Sequence, residues 1–272
     1  MSRSAEKMLD LLTLVGEGHR SLNALSAASE MPKSTVHRLL QVLVSRSYLR
    51  VNAGEFRLGY RLLELGELAR MGLRLSAQAR QKMKNLSEET NETVHLGELD
   101  GSDIVYLEKV DGMRGLQMAS HVGLRSPAQC TAMGKVLLAY LDGTAAEARL
   151  LELPARTPNT LTTRSAIMDE LARVRSRGYA LDREENEIGI RCVAAPIWDH
   201  TGRVVAAISL SGATQFISEA RQAQLVPSVM DCAAGISQEL GGGRFAAGGD
   251  GNGRTAAGPV DGLPLAGTDG GA

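Results

Sequence analysis

Cysteine is scarce and scattered in this chain: Cys130, Cys192 and Cys232 lie far apart and form no CxxC or Cys/His cluster. Such an odd, dispersed set argues against a disulfide framework or a zinc ribbon, so no metal site and no cofactor is expected. It also points to a reducing compartment, with the cytoplasm as the expected location. Long apolar runs are missing as well. No stretch approaches the 18 or so uninterrupted apolar residues that cross a bilayer. The opening MSRSAEKMLDLL has neither the continuous apolar core nor the small-residue cleavage site of a signal peptide, so no membrane partner is expected. Aromatics are few, yet the 272 residues leave room for one or two domains with ample core.

Acids are missing where bases collect. The net charge is −1, but residues 20–61 hold seven bases (Arg20, Lys33, Arg38, Arg46, Arg50, Arg57, Arg61) against Glu30 and Glu55, a local charge of +5. The first 75 residues carry +4 and the remainder −5. A basic head on an acidic body implies that the head meets a polyanion.

The centre of that head is PKSTVHRLLQVLVSR, residues 32–46. Val36, Leu39, Leu40 and Leu43 recur at helical spacing and make one stripe that requires a core. At about 100° per residue, Ser34, Arg38, Gln41 and Ser45 fall opposite, with His37 and Val42 on the flanks, so the outer face is polar, cationic and free of acid. Upstream, Met8, Leu11, Leu12 and Val15 mark a helix over 4–16 that GEGH closes, and Ser21 is placed to cap a second helix carrying Leu22, Leu25 and Ala28. A short break at Met31-Pro32 separates the two later helices, which together read as a helix-turn-helix.

YLRVN and EFRLG then alternate around Ala53-Gly54, a hairpin that completes a winged helix over residues 1–59 with Arg50 and Arg57 beside the wing tip. Only a helix or ribbon fits the major groove of DNA. Lys33, Ser34 and Thr35 are therefore expected at phosphates, Arg38 and Gln41 at base edges with His37 beside them, and Arg50 and Arg57 near the backbone. The bland alternative is a protein–protein module in which Ser34 and Thr35 only cap the helix.

Residues 60–75 continue as a leucine-rich helical linker, YRLLELGELARMGL, with leucines on more than one face, a pattern suited to packing against a second chain. From residue 76 the grammar changes. A helix over 76–90 leads to strands TVHLGELD, DIVYLEKVD and GLQMASHV, a helix over 131–141, a loop with Pro154 and Pro158, and the helix RSAIMDELARVRSRG. Strands CVAAPIWD and VVAAISLSG and a last helix over 218–239 close the segment. Strands joined mostly as hairpins, with helices packed on them, give an antiparallel sheet and an α+β domain over 76–240. In residues 241–272, 12 of 32 positions are glycine and apolar periodicity vanishes, the composition of a disordered tail.

In this order of parts, GYALDREENEIGIRCVAAPIWD (178–199) resembles the signature of the IclR family of transcriptional regulators, through Gly178, Asp182, Glu185, Cys192, Ala194 and Trp198-Asp199. Trp198 departs from the pattern, where a smaller aromatic is usual. STVHRLLQVL, TAMGKVLLA and ISLSG are similar to family patterns too, so that the resemblance spans residues 4–240. It implies a DNA-reading winged helix joined by a helical linker to an effector-binding domain of GAF-like fold, working as a homodimer or dimer of dimers on palindromic double-stranded operators. By the same resemblance, Asp182, Cys192, Ser209 and Ser211 line the effector pocket, while the backbone N–H groups of Ala132 and Met133 hold an anion.

That last assignment has physical sense, because amides at a helix N-terminus are unpaired donors with a favourable dipole. Ser209 and Ser211, two apart on a strand, share a face. A small carboxylate effector is therefore expected. ETVHLGELDGSDIVYLEKVD and MASHVGLRSPAQCTAMGKVLLA look similar to the branch that senses sugar acids such as 2-keto-3-deoxygluconate, which implies a repressor answering to a sugar acid or 2-oxo acid. An activator of an aromatic-acid operon is the alternative. More remote is an enzyme with Cys192 or Cys130 as nucleophile, for which no histidine and acid pair offers a base. His95, amid apolar neighbours, reads as a core histidine; His121, close to the anion loop, stands even between pocket edge and surface, and Met113, Met118 and Met133 could line a pocket or fill a core.

Overall fold

A computed structural model describes residues 3–72, 74–114, 118–150 and 153–246, and the chain divides into two compact units, residues 1–74 and 75–272. In the first unit, α1 (Arg3–Gly16), α2 (Leu22–Ala28) and α3 (Lys33–Ser45) precede the hairpin β1 (Leu49–Asn52) and β2 (Glu55–Leu58), and α4 (Tyr60–Gly72) follows. The stripe predicted on α3 does what its spacing requires: Val36, Leu39, Leu40 and Leu43 are buried with Leu11, Val15, Leu25, Met31 and Leu49 in one core. Ser21 caps α2 by accepting the Ala24 amide at 3.1 Å. At the hairpin tip both Ala53 and Gly54 have positive φ, 50° and 79°, the mirror-image turn whose twist matches paired strands. Ala53 takes there a conformation that costs an L-residue with a Cβ about 1 kcal/mol.

The second unit is built on a six-stranded antiparallel sheet in the order β5-β4-β3-β8-β7-β6. Its strands are β3 (Thr93–Asp100), β4 (Asp103–Val110), β5 (Arg125–Pro127), β6 (Ala180–Arg183), β7 (Ile190–Trp198) and β8 (Val204–Ala213). One face carries α6 (Ala132–Ala139) and α8 (Arg164–Arg177), packed with Tyr106, Ala180, Ala194 and Ala207. On the other face, α9 (Glu219–Glu239) lines a groove with Leu181 and Arg183. The unit also contains α5 (Arg74–Thr90), α7 (Gly143–Ala148) and, at its end, α10 (Gly243–Ala246). α8 ends on Gly178 at φ 80°, the left-handed cap that a residue without a Cβ adopts freely, which explains the glycine that begins the signature stretch.

Two expectations change. The described part of GLQMASHV, residues 118–122, forms no strand, because the Met118 and Ser120 carbonyls accept hydrogen bonds from Lys109 Nζ at 3.0 and 2.8 Å instead of joining a ladder; residues 115–117 lie outside the described residues. The tail expected from residue 241 begins with structure: Gly241 bridges to Asp199, and Phe245 of α10 stacks on Trp198, whose indole meets Tyr140 edge-on. The rest of the expected tail, 247–272, lies outside the described residues. No described helix is long and apolar enough to cross a membrane.

Candidate functional site

On the first unit, Lys33, Ser34, His37, Arg38 and Gln41 are exposed on the outer side of α3, and Thr35 is half-buried. Pro32 occupies the cap position: its carbonyl accepts the Thr35 and Val36 amides at 2.9 and 3.0 Å, and no side chain caps this end. Ser34 and Thr35 therefore keep their hydroxyls free, which removes the capping explanation for them. His37 Nε2 and Gln41 Nε2, one turn apart, lie 3.4 Å from each other. Arg50 and Arg57 are paired across the hairpin and share one face, an arrangement of like charges that an anion would relieve. They are not equivalent, since Arg57 is held by Glu55 at 3.1 Å while Arg50 lies over the exposed Tyr60 ring. Arg50 is thus the freer cation of the two.

On the second unit, strand register assembles a polar row. Asp182, Cys192, Ser211 and Thr93 are direct neighbours across β6, β7, β8 and β3, and the next row holds Ala180, Ala194, Ser209, His95 and Lys109. Because side chains alternate along each strand, both rows face α6. Asp182, Ser209 and Ser211 are buried and Cys192 is half-buried. From behind the sheet, the Gln222 side chain on α9 donates to the carbonyls of Asp182 and Cys192 at 3.0 and 2.9 Å, fixing the two strands that present them.

The start of α6 packs onto the same face, with the Met133 thioether against Gly97 of β3. Thr131 accepts the Gly134 amide through its hydroxyl and the Lys135 amide through its carbonyl, which leaves the Ala132 and Met133 amides as first-turn donors. Gly134 is required here, since a Cβ would come within 2.2 Å of the Ala128 carbonyl. One turn on, the fully buried Lys135 pairs with Glu185 at 2.5 Å, and the Glu185 amide donates to Asp182 Oδ1 at 2.7 Å. α6 and the turn after β6 are therefore locked together around the carboxyl of Asp182.

Burial dominates the electrostatics. It pushes Asp182 up to about 7 despite the Lys135 ammonium and the Glu185 amide, so near neutrality this side chain offers a hydroxyl donor as well as acceptors. Burial also raises the Cys130 thiol to about 12 and the Cys192 thiol well above its ordinary value, with the Asp182 charge as the next cause in both. Neither sulfur forms the thiolate that nucleophilic chemistry needs. His95, deeply buried, falls to about 3, first through burial and then through the Lys109 charge, and is neutral. His121 is exposed, as is Met113, whereas Met133 is buried at the anion loop. Among the described residues no group of histidine, cysteine or acidic side chains has metal-site geometry.

Three groups beside this row were not assigned to it from sequence: His95, read as a core histidine and buried as such, which hydrogen-bonds into the serine pair; Tyr106, whose ring meets His95 edge-on at 5.0 Å; and Lys135, paired with Glu185 of the signature stretch. For the ion pair the local clues were a lysine inside an otherwise apolar helix, AMGKVLLA, and the glutamate of the signature stretch.

A winged helix with an acid-free recognition face, in one chain with a sheet domain that buries a polar row beneath a helix N-terminus, defines a DNA-binding regulator. Residues 4–53 match the IclR helix-turn-helix domain and residues 68–238 the bacterial transcriptional regulator IclR C-terminal domain. The HTH-type transcriptional regulator XynR of Escherichia coli (strain K12) is 39% identical over 245 residues, covering 88% of this chain and 97% of that protein. KdgR of the same strain is 38% identical over 244 residues, covering 88% and 92%. The crystal structure of the Thermotoga maritima IclR superposes with a TM-score of 0.74 at 31% identity over 89% of this chain and all of the other. The chain belongs to the IclR family of bacterial transcriptional regulators. It is a DNA-binding transcription regulator and not an enzyme, in keeping with relatives that are named as regulators.

Proposed function

We propose that this regulator is a cytoplasmic repressor, a homodimer or dimer of dimers, whose affinity for a palindromic operator is controlled by a small hydroxylated carboxylate, a sugar acid or 2-oxo acid. The observation that carries the effector assignment is the register-aligned row Asp182, Cys192, Ser211 and Thr93, with Ser209 in the next row, facing the helix whose first amides, Ala132 and Met133, are free for an anion. The carboxylate binds those amides. Asp182, protonated near neutrality, and the two serines take hydroxyl or carbonyl oxygens of the ligand's other end. A face this rich in short polar groups suits a hydroxylated chain better than an aromatic ring, and the resemblance to the sugar-acid branch agrees.

On DNA, Lys33, Ser34 and Thr35 contact phosphates, Arg38 and Gln41 read base edges with His37 beside them, and Arg50 with Arg57 approaches the backbone from the wing. Each base-reading contact is worth about 1–3 kcal/mol of discrimination. The dimer reading rests on α4, where Tyr60, Leu63 and Leu68 are 70%, 70% and 58% exposed, an apolar display that a second chain would cover.

A thermal-shift screen of the purified chain against sugar acids, 2-oxo acids and aromatic acids tests the effector assignment. A ligand at 100 times its Kd adds about 2.7 kcal/mol to the folded state. The expected result is a raised midpoint with a sugar acid or 2-oxo acid that the Ser209→Ala/Ser211→Ala double variant loses; stabilisation by aromatic acids alone would replace the sugar-acid reading.

A further inference from the structure

His95 does more than fill the core. It sits on β3 directly opposite Ser209 of β8, is 2% exposed, and bonds from both ring nitrogens: Nε2 to Ser120 Oγ at 2.8 Å and Nδ1 to Ser211 Oγ at 3.4 Å. Ser211 Oγ in turn lies 3.2 Å from Ser209 Oγ. The result is an unbroken chain, Ser120–His95–Ser211–Ser209, which starts on the segment that Lys109 holds by the Met118 and Ser120 carbonyls and ends on the two serines of the effector site. Tyr106 packs edge-on against the imidazole and fixes its plane.

Burial and the nearby Lys109 ammonium keep the imidazole neutral, so it has one donor and one acceptor. The direction of the whole chain then follows from which nitrogen carries the hydrogen. If Nε2 accepts from Ser120, Nδ1–H donates to Ser211, Ser211 donates to Ser209, and Ser209 turns its O–H toward the ligand. In the other tautomer every bond reverses, and Ser209 turns a lone pair to the ligand. A hydroxyl group, both donor and acceptor, is met by either state; a methylene satisfies neither and strands a buried polar group.

We propose that His95 is a positioning residue of the effector site, which ties Ser211 and Ser209 into one hydrogen-bond chain from Ser120, leaves Ser209 a single directed polar group toward the ligand, and thereby makes the site select acids that carry hydroxyl groups. This inference rests on the proposed effector reading and adds to it the source of the hydroxyl selectivity. It also separates two classes of contact within one ligand: the carboxylate end, held by the α6 amides, does not depend on His95, whereas the hydroxylated end does.

The test is calorimetric titration of the full-length chain with two matched six-carbon acids, 2-keto-3-deoxygluconate and 2-oxohexanoate, which share the 2-oxo carboxylate and differ in three hydroxyls. The wild type is expected to prefer the hydroxylated acid. His95→Phe, similar in size but without polar atoms, is expected to weaken that acid by tenfold or more and to change 2-oxohexanoate by less than threefold. His95→Asn, which keeps a polar group near the Nδ1 position, is expected to recover part of the preference. Ser120→Ala removes the far end of the chain without touching the core and is expected to lower the preference by about threefold, which keeps the proposal testable if His95→Phe fails to fold. Equal weakening of both acids in every variant, or an unchanged preference in Ser120→Ala and His95→Asn, would overturn the proposal. A wild type that binds 2-oxohexanoate as tightly as the hydroxylated acid would overturn it as well, while leaving the carboxylate assignment standing; a wild type that binds neither would refute the effector reading and this inference together.

Discussion

Asp182 and His95 share one polar face but are shifted in opposite senses, and this makes a quantitative prediction about stability and pH. The Asp182 carboxyl moves from 3.8 to about 7, so between these values the folded chain holds a proton that the unfolded chain has released. Its contribution is complete below pH 4 and declines, by up to about 1.4 kcal/mol per pH unit, as the pH rises toward 7. The His95 imidazole moves from 6.5 to about 3, so in this window the unfolded chain binds the extra proton. Its contribution is complete above pH 6.5 and is lost as the pH falls toward 3. Between pH 4 and 6.5 the two terms nearly cancel.

Asp182→Asn removes one of them while keeping an oxygen to accept the Glu185 amide. The stability of this variant relative to wild type should therefore climb between pH 4 and 7, by an upper bound of about 4 kcal/mol. For a body of this size that corresponds to a relative midpoint rise on the order of 8 °C. Thermal or urea unfolding of both proteins at half-unit pH steps, in buffers without carboxylates, reads it directly. A difference that is flat with pH, or that falls as the pH rises, would refute the burial of Asp182 as a protonated acid.

Three further outcomes are expected. Gly134→Ala drives a Cβ into the Ala128 backbone and should cost more than about 2 kcal/mol, seen as a lowered urea midpoint, and abolish effector-induced stabilisation, because the loop that carries the anion-binding amides must move. Lys135→Met strands Glu185 in the interior and should cost about 3–5 kcal/mol, whereas Lys135→Met combined with Glu185→Met should regain most of it in the same unfolding assay. Ala53→Gly relieves the positive φ at the wing tip and should slow hydrogen exchange of the β1–β2 ladder amides by about 2- to 5-fold.

What the sequence revealed and what it hid have physical causes. Periodicity sufficed for α3 because its buried face is purely apolar and its outer face purely polar, and alternation with turn residues sufficed for β3, β4, β7 and β8. β5 has three residues and β6 four, and neither is joined to its partner strand by the two-residue turn that marked the equally short β1 and β2. The polar row was only half legible. Ser209 and Ser211 share a face by spacing alone, but their alignment with Cys192, Asp182 and Thr93 is a property of strand register. His95 read as a core histidine because the serines it bonds stand 25 and 116 residues away, beyond any local window. Lys135 was hidden in the same way, since Glu185 lies 50 residues downstream. The Arg57–Glu55 pair, by contrast, was within local reach, since residues two apart on a strand share a face.

An acid bound at the sheet face is expected to control an operator bound at α3, and one titration tests that coupling directly. A duplex selected from a random-sequence library by the full-length chain is titrated by fluorescence anisotropy with and without the stabilising acid, for wild type and for Ser209→Ala/Ser211→Ala. The expected result is operator binding that weakens steeply with salt and changes by about 5- to 150-fold on addition of the acid in the wild type, with little change in the double variant. An acid that stabilises the wild type yet leaves its operator affinity unchanged would contradict the account, for the pocket would then bind a ligand without controlling DNA.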